Sequence, residues 1–433
     1  MKAKSQLTAH GLRGLTSTGV AVAASVAYVV LGGSLLATLA AIAPGMGGAS
    51  MAFIVTSVII VLMASLAVST TLRATFAARV RQTGLVRAIG ASSSHMRQML
   101  LKQAMTVGVI GSIVGVLVGL GIVAVGTGIA AGAGASFAIF MPSLGYVVLA
   151  LGVGILVTLL GVMRPTREAG RTSPVQAMTS AETLDTDIPR IRATSKMVNV
   201  VLLIASAVLL AIATGGAMAM LAPIAGILLC ILCMRMAPSF TTLIAKRLPS
   251  SGKSRLGLAA ESIRRHPRRA GALLALVVAG TATTGTLLLL ASALMRVEVI
   301  DVGFIAEVMA VILAMLIGTL VVEAIAFAGA TASSLKSRAQ ELSVLRAVGL
   351  TRRRMVGMLA VESGVIGAAG AIIGSLIALT VVGCAIMAST MQIGSIGLTL
   401  IAALVVATIC VAVASTLIPA VRSSRRAPAH AVA

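Results

Sequence analysis

Apolar positions along this chain come in long unbroken runs. They show neither the alternation of a half-buried strand nor the single stripe of a soluble surface helix. Runs of Ala, Val, Leu, Ile and Gly occupy residues 19–42, 51–72, 104–130, 144–163, 197–214, 217–234, 270–295, 302–328, 357–385 and 397–418. About 20 apolar residues cross the ~30 Å core of a bilayer as a helix. The pattern therefore predicts ten membrane-spanning helices, and the even count puts both termini on one side.

The polar residues between the runs test this topology. Of the 34 Lys and Arg, all but Arg296 fall in the segments on one face of the ten-span arrangement. By the positive-inside rule that face and both termini are expected to be cytoplasmic. The opposite connections, 43–50, 131–143, 296–301 and 386–396, are short, and all but 296–301 are uncharged. None is long enough for a domain, which needs at least about 50 residues.

Composition agrees. Of 433 residues, 58% are hydrophobic and 10% charged, and the mean hydropathy is +1.09. A soluble domain carries about 25% charged residues, and disorder requires low hydrophobicity. The net charge of +23 invites a nucleic-acid reading, but aromatics are 2% and Trp is absent, so few surfaces exist for bases to stack on. No nucleic-acid partner is expected. Cys230, Cys233, Cys384 and Cys410 lie within apolar runs, where no extracellular disulfide framework forms. The C-x-x-C at Cys230 lacks the second Cys/His pair of a metal site, so no metal is expected. The basic segment 1–14 leads into a run long enough to span, without a cleavage site, and reads as no cleavable signal.

The chain repeats itself. Setting Arg87 on Arg346 pairs Arg79 with Arg338, Ala88 with Ala347, Gly90 with Gly349 and Met96 with Met355. Farther on, Gly108, Gly111 and Gly115 meet Gly367, Gly370 and Gly374. Pro165, Arg171 and Pro174 after span four echo Pro419, Arg425 and Pro428 after span ten, and Leu7–Arg13 echoes Leu258–Arg264. Each half is one span, an outward loop and three further spans. Both halves begin and end on the basic side, so the repeats are parallel. The division is 1–178 for the first half, 179–256 for the linkers and spans five and six, and 257–433 for the second half.

In each half the second span continues into a short helix-compatible segment, 82–90 and 341–349. Leu85, Val86 and Ile89 in one copy, and Val344, Leu345 and Val348 in the other, form an apolar stripe at i, i+1 and i+4. Gly90 and Gly349 are placed as C-caps. Ser and Thr residues just after them are placed to cap the helix that feeds the next span. An amphipathic segment on the cytoplasmic side must bury its stripe in headgroups or in the groove of a partner.

These stretches resemble the cytoplasmic signature of the FtsX-like permease family, the membrane subunits of MacB-type (type VII) ABC transporters. That signature runs approximately R-x-x-E-I-G-x-L-R-A-x-G-A-S, followed by an amphipathic helix ending near a Glu. The second copy matches with Arg338, Glu341, Leu345, Arg346, Ala347, Gly349 and Glu362. The first matches with Arg79, Gly84, Leu85, Arg87, Ala88, Gly90, Ala91 and Ser92, and has Gln82 and Gln103 where Glu is usual. The resemblance implies an all-α polytopic membrane protein, with ten transmembrane helices in two FtsX-like four-helix halves plus two intervening spans. It also implies a permease that couples to cytoplasmic ATPase subunits through Gln82, Leu85, Val86, Arg87, Ile89 and Gly90, and through Glu341, Val344, Leu345, Arg346, Val348 and Gly349. Two such segments in one chain match two ATPase subunits.

The chain itself is expected to be no enzyme and to hold no cofactor. Its one Walker-like string, 250–254, has Arg247 where the first Gly is required. ATP and Mg²⁺ belong to the partner ATPase. The expected action is extrusion of an amphipathic or hydrophobic molecule, such as a lipid, lipopeptide, antimicrobial peptide or haem-like compound, across the cell membrane. A second reading has the complex signal through a sensor kinase or an envelope enzyme. A third is an ion-coupled transporter using Glu307 and Glu323, ionisable residues within span eight that are expected at a substrate or gating site.

Overall fold

The computed structural model describes residues 16–42, parts of 58–72, 93–132, 142–171, 193–214, 221–249, 254–294, 302–337, parts of 342–350, 351–387 and 395–424. Ten helices are delimited: α1 (Thr16–Ile42), α2 (Ser93–Gly132), α3 (Leu144–Arg171), α4 (Ala193–Thr214), α5 (Ala222–Arg247), α6 (Arg255–Arg265), α7 (Pro267–Leu294), α8 (Val302–Ser337), α9 (Arg352–Met387) and α10 (Ser395–Ser424). Among the described residues there is no strand. The chain is an all-α polytopic membrane protein.

Among the described residues, eight helices are long and apolar enough to cross a bilayer: α2 to α5 and α7 to α10. Of the two other expected spans, α1 contributes a shorter apolar stretch, Thr18–Ser34. Residues 58–72 are helical where described.

Several helices outrun their apolar cores toward the basic end. α5 continues past residue 234 to Arg247, and α3 passes through Pro165 to Arg171. The stretch 255–265, expected as connection, is helix α6, with the Ser254 hydroxyl accepting from the Gly257 N–H. Pro238 lies inside α5. It is accommodated because α7 presents Gly271 there: a Cβ on Gly271 would stand 2.7 Å from the Pro238 nitrogen and Cα.

The two halves pack alike. α1 lies against α2 and α3 as α7 lies against α9 and α10, and α2 pairs with α3 as α9 pairs with α10. The glycines fix a common register. A Cβ on Gly111 would meet Gly19 and Val22, and one on Gly370 would meet Val277. A Cβ on Gly115 would stand 2.5 Å from the Ala23 carbonyl oxygen and 2.8 Å from Val26 Cβ. On Gly374 it would stand 2.9 Å from the Val278 carbonyl oxygen and 2.7 Å from Thr281 Cβ. Val22, Ala23 and Val26 thus correspond to Val277, Val278 and Thr281. Continuing the Leu7/Leu258 echo without a gap would set Val26 on Val277, so the packing register is one helical turn away from it. Small residues spaced by four let two helix backbones approach closely where lipid supplies no hydrophobic drive. Gly374→Val should therefore lower stability by about 1–3 kcal/mol, read as a lower unfolding midpoint of the detergent-purified protein.

α8 joins the halves, packing on α7 and α10 and also on α1, where Gly318 receives the ring of Tyr28. α5 covers α7 and α9, and α4 lies outside against α5 with its apolar side chains exposed to lipid. α7 is the central helix of the second half, with 83% of its apolar stretch buried.

Candidate functional site

Segments 82–90 and 341–349 were expected to carry coupling. Gln82, Leu85, Val86, Arg87, Ile89 and Gly90 lie outside the described residues, as do Glu341, Leu345 and Val348. Around the others the geometry is specific. Gly349 has φ +102°, a left-handed conformation that only Gly adopts cheaply. Its N–H donates to the Arg346 carbonyl at 3.0 Å. Two residues later Thr351 starts α9: its carbonyl accepts from Met355 N–H at 3.0 Å and its hydroxyl from Arg354 N–H at 3.4 Å. The segment thus ends in a fixed turn directly coupled to the start of α9. Val344 is 61% exposed, and Arg346 is half-buried. Leu342, which the sequence reading passed over, is buried with Leu335, Met355, Met358 and Leu359. It anchors the segment to α8 and α9. A Cβ on Gly349 would meet nothing within 4 Å. Gly349→Ala should then cost only the backbone term, about 1 kcal/mol, measurable by thermal unfolding.

One helical stretch above this turn, Glu362 of α9 is buried. The Ser262 hydroxyl of α6 donates to its Oε2 at 2.8 Å, and Arg269 Nη2 of α7 stands 3.7 Å from its Oε1. Arg264 donates to the carbonyls of Ala245 and Leu248 and so closes the C-terminal end of α5. Four helices therefore meet in one polar knot at the basic end. Sequence analysis singled out Glu362 only through the family signature. Its partners Ser262 and Arg269 lie about a hundred residues away and gave no local signal.

Glu323 of α8 is 3% exposed. A position near the inner interface would have left it partly hydrated, but its carboxyl packs on Gly280 of α7, where a Cβ would collide with it. Its Oε2 has no hydrogen-bond partner among the described residues. One turn farther along, the Thr284 hydroxyl donates to Thr319 Oγ1 at 3.3 Å. In the first half the repeat places Ala64, also buried, at the position of Glu323. The carboxyl is thus a one-sided feature of an otherwise repeated bundle. Glu307 lies on α8, and its side chain is outside the described residues. Among the described residues no three His, Cys, Asp or Glu side chains group as a metal site.

A family model described as FtsX-like permease C-terminal matches the chain twice, over residues 54–174 and 311–428. These regions together cover more than half of the chain and fall at corresponding places in the two halves. The chain belongs to the FtsX-like permease family. No curated protein matches it. Membership makes this permease a membrane subunit of the ABC transporter class, whose partners are ABC ATPase subunits. The first matched region of the FtsX-like permease contains 82–90. The second contains 341–349, Glu323 and Glu362. Helices α4 to α7 lie outside both regions, so Arg269 and Ser262 reach into the second family unit from helices it does not include.

Proposed function

We propose that this chain is the permease subunit of an ATP-driven exporter in the cell membrane, with both termini cytoplasmic. Two cytoplasmic ATPase subunits seat on segments 82–90 and 341–349. ATP binding draws them together, and the movement passes along the second and eighth spans. Those spans close on one another and expel an amphipathic or hydrophobic molecule laterally from the bundle: a lipid, lipopeptide, antimicrobial peptide or haem-like compound. ATP and Mg²⁺ act in the ATPase subunits.

The observation that carries this reading is the path of α8. It runs unbroken from Val302 to Ser337 and leads into the segment whose end is fixed by Gly349 and Thr351. It carries Glu323 in its middle and touches both halves. A push at the segment is therefore transmitted to the interface between the halves. Glu323 is assigned a substrate or gating role on this path, because a buried ionisable group within a span is costly and needs a reason to be there.

The test is reconstitution of the permease with its ATPase in vesicles whose outer leaflet carries fluorescent lipid or lipopeptide probes. ATP-dependent release of a probe is the expected result. ATP hydrolysis that no probe stimulates, with no probe released, would contradict export. Glu323→Ala should lower probe-stimulated ATP hydrolysis about tenfold, the worth of one charged hydrogen bond, while leaving the basal rate unchanged.

A further inference from the structure

The first turn of α9 breaks a local rule. A helix N-terminus carries partial positive charge and favours acidic side chains. Here it carries Arg352, Arg353 and Arg354, with no acid in the turn. The corresponding residues of the first half are Ser93, Ser94 and His95. A fourth guanidinium joins the second-half cluster. Arg255 of α6 lies across α9 at Gly357, where a Cβ would stand 3.1 Å from its Cδ and 3.3 Å from its Cζ. Gly357 is one turn from Arg353 and Arg354 and on their face. Arg255, Arg353 and Arg354 are all exposed. Two nearby acids are engaged elsewhere: Glu261 pairs with Arg265 at 3.0 Å, and Glu362 is buried beside Arg269. Three cations are thus held together at a positive helix end, with no acidic partner among the described residues. A local conflict of this kind marks a site that something outside the chain completes.

We infer that Arg255, Arg353 and Arg354 form a docking patch for an acidic surface on the cytoplasmic ATPase, flanking the groove that takes segment 341–349. This rests on the ABC reading above. Three observations favour a protein over lipid headgroups. The patch lies two residues beyond the Gly349 turn, so it continues the proposed ATPase contact. It also lies deep. From Arg354 to Glu362, the last charge before the uncharged run of α9, is about 12 Å of helix. The headgroup layer of one leaflet is only about 5–8 Å thick. Finally, apolar side chains are exposed at the same end, Val344 in the segment and Leu256 beside Arg255. An apolar centre with a charged rim is the anatomy of a protein interface.

The test measures binding of the full-length permease, in neutral-lipid and anionic-lipid nanodiscs, to its cognate ABC ATPase subunit. Wild type is compared with R255E/R353E/R354E, with R353Q/R354Q and with the triple lysine replacement. At about 50 mM salt the charge reversal should weaken binding at least tenfold, and the gap should narrow to about twofold at 0.5 M as screening removes it. R353Q/R354Q should fall between, and the lysine variant should bind nearly as wild type. All should share the wild-type unfolding midpoint, which separates a lost contact from a lost fold. Unchanged affinity and salt dependence in the reversal variant would overturn the patch while leaving the ABC reading intact, provided the Leu85→Glu, Leu345→Glu double variant still abolishes binding. A defect seen only in anionic nanodiscs would reassign the patch to lipid. Wild type that binds no ATPase would overturn the ABC reading and the patch with it.

Discussion

Replacing Leu85 and Leu345 together by glutamate is expected to detach the ATPase subunits and abolish transport-coupled ATP hydrolysis. Each leucine sits at the centre of its apolar stripe, flanked by Val86 and Ile89 in one copy and by Val344 and Val348 in the other. A central apolar anchor in a protein interface is worth about 2 kcal/mol or more. Burying a carboxylate in its place adds a desolvation penalty. One substitution should weaken one seat by about 30-fold. The other seat then holds the complex by avidity, so single variants should keep part of their activity. Both substitutions remove both seats, and pull-down from detergent should recover permease without ATPase. Retained association in the double variant would place the contact elsewhere. No association in wild type would sink the ABC reading and return Glu307 and Glu323 to the centre of an ion-coupled alternative.

Much of the molecule was readable from the chain, because bilayer solvation imposes a one-dimensional code. Long apolar runs gave the spans, since a backbone in lipid must satisfy its own hydrogen bonds as helix. The glycine spacing of spans three and nine gave the faces that receive α1 and α7. Gly349 and Thr351 gave a turn and a cap whose chemistry is local. What stayed hidden depends on contacts distant in sequence. The apolar run ends at residue 234, and α5 continues through Pro238 to Arg247 because Gly271, across in α7, makes room for the proline. Glu323 was legible as an ionisable residue within a span, but nothing near it in sequence says that Gly280 gives up its side chain to cover it. Leu342 escaped notice because its burial depends on α8 and α9 meeting beside it. The polar knot at Glu362 was likewise invisible, since Ser262 and Arg269 lie about a hundred residues away, outside the family-matched region 311–428.

That knot carries the second large effect. Arg269→Met should destabilise the folded permease by about 3–5 kcal/mol, because it removes a cation that stands beside the buried Glu362 carboxylate. The side chains of Arg269 and Glu362 are 15% and 7% exposed, so water cannot stand in for the lost cation. Glu362→Gln alone should cost less, since the amide oxygen still accepts from Ser262. The double variant, Arg269→Met with Glu362→Gln, should recover most of the loss and unfold within about 1 kcal/mol of wild type, because a neutral pair no longer pays for a stranded charge. Unfolding midpoints of the four proteins close this cycle. If the double variant is no more stable than Arg269→Met, the pair is not the source of the effect. Function then adds a second reading of the same cycle. α9 begins two residues after the Gly349 turn, and Glu362 ties it to α6 and α7 before it enters its uncharged run. A displacement that starts at segment 341–349 can reach α7, the central helix of the second half, through this knot as well as along α8. The double variant restores stability but not the charge. If it folds as wild type yet hydrolyses ATP without moving substrate, the charged tie is part of the transmission path. If it transports normally, the tie serves the fold alone, and the movement travels up α8.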